Sequence, residues 1–111
     1  MSTKITKYDN VAVLIVKDDL VGEEVEVFCG QSDQCVADGF FNIVVDCTAV
    51  GVFDSMGLEA LLDLQNKCED EFGNVKLCGL DETLTRILEI TRLMRRFEVF
   101  DDVDAAVGNF S

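Results

Sequence analysis

The chain has 111 residues, with 22 Asp and Glu against 9 Lys and Arg, a net charge of −13 and no His. Such charge repels phosphate backbones and anionic membrane surfaces, so direct nucleic-acid binding and membrane insertion are poor first readings. Without His there is no Ser-His-Asp or Cys-His relay, and the commonest nitrogen ligand for zinc or copper is missing, which removes most hydrolase templates.

The first predicted elements are two strands, Ile5 to Tyr8 and Val11 to Val16, paired antiparallel across the turn-favouring Asp9-Asn10. From Gly22 the apolar spacing changes to that of a helix, with Val25, Phe28, Cys29, Ser32 and Val36 on one face and an end near Gly39. Asn42 to Cys47 is nearly continuous and β-branched, the pattern of a strand covered on both faces, and is placed at the centre of the sheet. Thr48 to Asp54 form a connection. Leu58, Leu61, Leu62, Cys68 and Phe72 mark the face of a second helix, stopped by Gly73-Asn74. Val75 to Cys78 is a short buried strand. Asp81 is the expected N-cap of a third helix with Leu84, Ile87, Leu88, Thr91 and Met94 on its face. Val99-Phe100 is a last strand. Val103, Ala106, Val107 and Phe110 mark a final helix capped by Asp101 or Asp102.

The order β-β-α-β-α-β-α-β-α predicts an α/β fold: one domain over residues 1–111, with a mixed sheet of four to five strands and about four helices. With 49% apolar residues the chain has enough hydrophobic surface for one ordinary core, so the acids are assigned to the surface. Cys29, Cys35, Cys47, Cys68 and Cys78 have no metal-like spacing and read as small buried hydrophobes in a reducing compartment. Met1 to Ile5 has no apolar stretch of signal-peptide length, and no run approaches a membrane span, so a cytoplasmic protein is expected.

The segment Val44-Val45-Asp46-Cys47-Thr48-Ala49-Val50-Gly51-Val52-Phe53-Asp54-Ser55-Met56-Gly57-Leu58 resembles the signature of the STAS domain family, typified by anti-sigma factor antagonists. In that family a buried strand leads to a Ser/Thr-x-Val segment and then to an Asp-Ser-Ser/Thr-Gly-Leu turn opening a helix. Here Thr48-Ala49-Val50 and Asp54-Ser55-Met56-Gly57-Leu58 stand in those places. The resemblance continues through Gly73-Asn74-Val75-Lys76-Leu77, through Ile87-Leu88-Glu89-Ile90-Thr91-Arg92-Leu93, and through the stretch from Phe97 to Ala106, covering about residues 40 to 110. Three positions depart from it. Lys17-Asp18-Asp19-Leu20 replaces a Gly-Glu-Leu-Asp-like loop, Met56 replaces a hydroxyl residue, and Arg92 stands where the family often has Gly.

The resemblance implies a non-enzymatic switch with no cofactor and no bound metal, phosphorylated at Ser55. It implies that Asp54, Ser55, Met56, Gly57, Asp19 and Leu20 meet a partner. That partner would be an anti-sigma factor serine kinase, bound while Ser55 is unmodified, and a PP2C-type phosphatase would reverse the modification. A monomer or weak dimer is expected. A STAS scaffold in a lipid-transport or other signalling complex, and a small-ligand-binding domain, are the alternatives. Position alone gives Ser55 a second reading, as a helix cap beside Asp54. Phe53 reads as core or as a hydrophobic staple, and Met56 as either core or partner contact. Arg86, Arg92, Arg95 and Arg96 have two readings. They form an anion or partner site, or they are cations at the end of the third helix, paired with local acids such as Glu89. The clusters at Glu23-Glu24-Glu26, Glu69-Asp70-Glu71 and Asp101-Asp102-Asp104 lack calcium-loop spacing and read as solvated faces.

Overall fold

A computed structural model describes residues 3–110. Strand β1 (Thr3–Tyr8) and strand β2 (Val11–Val16) form an antiparallel hairpin. Helix α1 (Glu23–Ala37), strand β3 (Asn42–Asp46), helix α2 (Ser55–Asp70), strand β4 (Asn74–Cys78), helix α3 (Glu82–Ile90), a 3-10 turn (Leu93–Arg96), strand β5 (Glu98–Phe100) and helix α4 (Val103–Asn109) follow. The sheet order is β1-β2-β3-β4-β5, with β2 to β5 all parallel and β3 in the middle, as its β-branched run requires.

Because each crossover steps to the next strand in the same direction, and such crossovers are right-handed, α1, α2 and α3 share one face of the sheet. That face holds the larger core, in which Phe28, Leu61, Leu64, Leu84 and Leu88 pack on Leu14, Ile43, Val45 and Leu77. Among the described residues α4 alone covers the other face, placing Ala106 over Val11, Val13, Val44 and Cys78. Lys76 lies in this second layer, 4% exposed. Its ammonium lies over the Phe100 and Phe110 rings, hydrogen-bonds Asn109 and reaches the Glu98 carboxylate at 3.6 Å. A lysine stem can pack among apolar side chains when its charged end finds partners. Gln65 on α2, also buried, donates to the Asn74 side chain (2.8 Å) and the Arg96 carbonyl (2.5 Å) and accepts from the Val75 N–H (2.7 Å). It thus ties α2 to β4 and to the 3-10 turn.

The helix faces differ from expectation in three places. On α1 the buried stripe is Val25, Phe28, Ser32 and Cys35, while Cys29 and Val36 lie on its half-buried flanks. On α2 the stripe is Gly57, Ala60, Leu61, Leu64, Gln65 and Cys68, and Phe72 is not part of it. The helix ends at Asp70, the Gly73 N–H bonds the Cys68 carbonyl (2.8 Å) and the Phe72 N–H bonds Glu69 (3.0 Å). This is a Schellman closure, and it puts Phe72, not Gly73, in the left-handed region at φ 63, with its side chain fully exposed. Gly73 is required for another reason: a Cβ there would lie 2.0 Å from the Phe41 carbonyl oxygen.

The third difference is that α3 stops at Ile90. Thr91 is its C-cap, Arg92 turns left-handed at φ 65, and Met94 belongs to the 3-10 turn. The family's frequent Gly at this position has its physical reason in that dihedral. Among the described residues the arginines form no ion pair with Glu89. Arg96 instead reaches across to Glu69 (2.8 Å) and Asn66 (2.7 Å) on α2. Asp102, rather than Asp101, caps α4 through the Ala105 N–H (2.8 Å).

Neighbouring substitutions should therefore have opposite signs. Phe72→Gly relieves a left-handed residue with no packed side chain and should raise stability by about 1 kcal/mol in urea unfolding. Gly73→Ala should lower it by roughly 1–3 kcal/mol, because the added methyl meets backbone.

Candidate functional site

In a parallel sheet the strand-to-helix connections open at one edge, so residues 17–22, 47–54, 79–81 and 101–102 gather at the carboxyl ends of β2 to β5. The first two connections are stitched together by backbone. The Leu20 N–H bonds the Val52 carbonyl (3.0 Å), the Asp54 N–H bonds the Leu20 carbonyl (3.2 Å), and Leu20 and Phe53 form a parallel bridge. Asp19 adds a side-chain link, accepting from the Gly51 N–H at 2.7 Å.

Asp54 completes the frame. Its Oδ1 accepts from the Gly57 N–H (2.7 Å), capping α2, and its Oδ2 accepts from the Gly22 N–H (3.0 Å), at the start of α1. The hydrogen bonds from Gly22 and Gly57 favour the ionised carboxylate and hold its pKa below the ordinary carboxylate value. Gly22 stands at φ 53 and ψ −127, a conformation that L side chains resist. Gly57 is buried under Leu20, where a Cβ would lie 2.3 Å from the Leu20 carbonyl oxygen.

This geometry separates the six expected partner residues. Ser55 is exposed at the first position of α2. The cap comes from Asp54, and among the described residues the Ser55 hydroxyl makes no hydrogen bond. Its reading as a second cap is therefore overturned. Met56 is 54% exposed beside it, while Phe53 is core. Asp54 and Asp19 are engaged in the frame. Leu20 and Gly57 are buried, so their side of the expected partner surface is corrected: they position the turn from beneath and do not face outward. Two residues were missed by the sequence reading. Val52 is 37% exposed, pointing opposite to the inward Phe53 as strand alternation dictates, and Gly22 supplies the amide that anchors Asp54. An exposed hydroxyl and two exposed apolar side chains on one connection and the helix start that follows it give this edge its chemical character.

The edge is also acidic. Its connections carry Asp18, Asp19, Asp54, Asp81, Asp101 and Asp102 against Lys17 alone. Among the described residues no group of three His, Cys, Asp or Glu side chains is arranged to hold a metal ion, and no helix is long and apolar enough to cross a membrane. The thiols are core groups, with Cys29 half-buried and the other four buried. Burial pushes Cys78 up to about 12 and Cys68 up to about 11, and raises Cys47 beyond both, which keeps them protonated and unreactive.

The clamp makes a pH prediction. Asp54→Asn should lower the urea midpoint at pH 7. A lowered folded-state pKa contributes stability above the unfolded value of 3.8, lost as pH falls through the folded value. The gap to the wild type should therefore close below about pH 4. Gly57→Ala should cost roughly 1–3 kcal/mol at any pH, because its clash is steric.

The sequence profile of the STAS domain matches residues 2–106. Among solved structures the chain is similar to an anti-sigma factor antagonist from Mycobacterium paratuberculosis, at 23% identity and a TM-score of 0.86 over 96% of this chain and 91% of that one. It is similar to the Bacillus cell fate determinant SpoIIAA in its phosphorylated form, at 15% identity and 0.78 over 98% and 99%. A sulfate transporter family protein from Wolinella succinogenes matches at 19% identity and 0.76 over 94% and 87%. No curated protein matches the chain by sequence. The five-stranded mixed sheet, the Asp54-Ser55-Met56-Gly57 turn and the profile match agree, and the chain belongs to the STAS domain family.

Proposed function

We propose that this protein is a phosphorylation-regulated interaction switch of the anti-sigma factor antagonist type, acting in the cytoplasm. Unmodified, it binds an anti-sigma factor serine kinase at the edge bearing Val52, Ser55 and Met56. That kinase phosphorylates Ser55, and a PP2C-type phosphatase restores the hydroxyl. The domain supplies a surface and a phosphoacceptor, while the catalysis belongs to its partners.

The observation that carries this reading is the Ser55 hydroxyl, exposed at the start of α2 and released from capping by Asp54. A phosphoryl group there adds about −1.5 to −2 charges at the positive end of a helix dipole, which tolerates it. Since Ser55 bonds nothing in the frame, the fold keeps its clamp. What changes is the contact surface: a dianion replaces a neutral hydroxyl next to Met56, and a partner that desolvates that turn must desolvate the charge too. The acidity of the edge favours a partner with a basic rim, attracted before modification and faced with surplus charge after it. The likeness to a fold neighbour solved in a phosphorylated form supports this reading.

A second reading, a STAS scaffold within a transport complex, draws on the likeness to a sulfate transporter family protein. Partner recovery separates the two. Wild type and Ser55→Ala should both retain a serine kinase, Ser55→Asp should lose at least roughly tenfold in affinity, and Ser55→Ala should take up no phosphate. Equal binding of Ser55→Asp, or recovery of transporter subunits with all three forms, would contradict the switch.

A further inference from the structure

We infer that the outer flank of α3 is a docking groove for a short basic segment of a partner protein, one that carries aliphatic anchors among its Lys and Arg. The helix is amphipathic, and its apolar stripe is longer than the core beneath it. Leu84 and Leu88 are fully buried, and Ile87 packs against the core half-buried. Ile90 continues the stripe, yet it belongs to neither core and is 73% exposed. Beyond it the left-handed Arg92, at φ 65, ends the helix direction.

Two shallow grooves adjoin along this flank. In one, of about 320 Å³, Ile87 and Ile90 lie with Glu82 and Arg86. In the other, of about 340 Å³, Asp81 and Glu89 lie with the same Glu82 and Arg86. The shared residues make one surface of the two, apolar toward Ile90 and acidic toward Asp81.

Charge complementarity selects the occupant. The surface presents three carboxylates to one guanidinium, and among the described residues none of the four side chains forms an ion pair. Asp81 accepts from the Leu84 N–H through Oδ1 (2.8 Å), which leaves Oδ2 for a partner. Among the described residues no three such groups are arranged to hold a metal ion, so the carboxylates suit cations spaced along a peptide. Lys and Arg stems pack beside isoleucine side chains while their charged ends reach carboxylates. Nucleic acid and anionic bilayers are repelled, and a second copy brings another −13 charges.

Asp81 stands at the same sheet edge as Ser55, and the nine residues of α3 carry the groove about 13 Å away from it. The groove is therefore a surface of its own. Its charges and its isoleucines owe nothing to the state of Ser55, and the inference does not rest on the switch.

The test is an NMR titration of the ¹⁵N-labelled chain, in about 0.15 M salt, with a synthetic peptide of Lys and Arg carrying two Leu one helical turn apart. A control peptide has Ser at both Leu positions. Amide shifts should concentrate between Asp81 and Ile90. Affinity should fall roughly tenfold in Ile90→Ser and with the control peptide, and about threefold or more in the Glu82→Gln/Glu89→Gln pair. It should change less than about twofold in Glu23→Gln/Glu26→Gln, which removes as many charges from the start of α1. All four glutamates and Ile90 are exposed, and a dispersed spectrum confirms the fold of each variant. Absence of binding, shifts centred on the Ser55 edge, equal losses in the two glutamate pairs, or unchanged affinity in Ile90→Ser or with the control peptide would overturn the groove. So would shifts on diluting the protein alone that reveal a second copy in it. None of these results bears on the Ser55 switch, which is read from phosphate uptake and kinase retention.

Discussion

The Asp54 carboxylate is the constraint on which the functional edge depends. One oxygen caps α2 and the other holds the start of α1, so a single side chain fixes two helix termini that lie 32 residues apart in sequence. Beneath it, Leu20 fills the core and exchanges backbone bonds with Val52 and Asp54. Gly57 lets the first turn of α2 close onto that backbone. With every structural duty taken by Asp54, Leu20, Gly22 and Gly57, Ser55 is left free. The proposed switch needs a modified residue that is dispensable to the fold, and this division of labour between adjacent residues meets that condition.

The same division explains the charge pattern. Acids at helix starts suit the helix dipoles, and the parallel sheet collects those starts at one edge. The accumulated negative charge there is thus partly a consequence of topology. Among the described residues Arg92 and Arg95 form no ion pair, and they lie elsewhere, beyond the C-terminal end of α3, where the dipole favours cations.

Most of the fold was legible because period and punctuation agreed. The β-branched run at Asn42 to Asp46 took the central strand, and Asp54, Asp81 and Asp102 each preceded an apolar stripe as caps do. The readings that failed extended a stripe past a helix end. Phe72 and Met94 continue the spacing of α2 and α3, but closure at Phe72 and Arg92 uses left-handed residues that carry none of the usual glycine signal. Leu20 was misplaced because a loop residue in an acidic segment reads as surface, and only tertiary pairing with Phe53 buries it. Lys76 and Gln65 were unreadable for a related reason: their partners, Asn109 and the Arg96 carbonyl, lie 33 and 31 residues away in sequence. At the site itself, Asp54 and Ser55 were both named from the motif, but which of them caps the helix was settled by geometry.

The central claim is that Ser55 modification alters a surface and leaves the frame intact. Native-state hydrogen exchange on the stoichiometrically phosphorylated chain tests it most directly. Protection of the Gly22 and Gly57 amides, both bonded to Asp54, should match that of the unmodified protein, with differences confined to the amides next to Ser55. Loss of protection at Gly22 and Gly57, spreading into α1 and α2, would show that the phosphate breaks the clamp and would contradict the account.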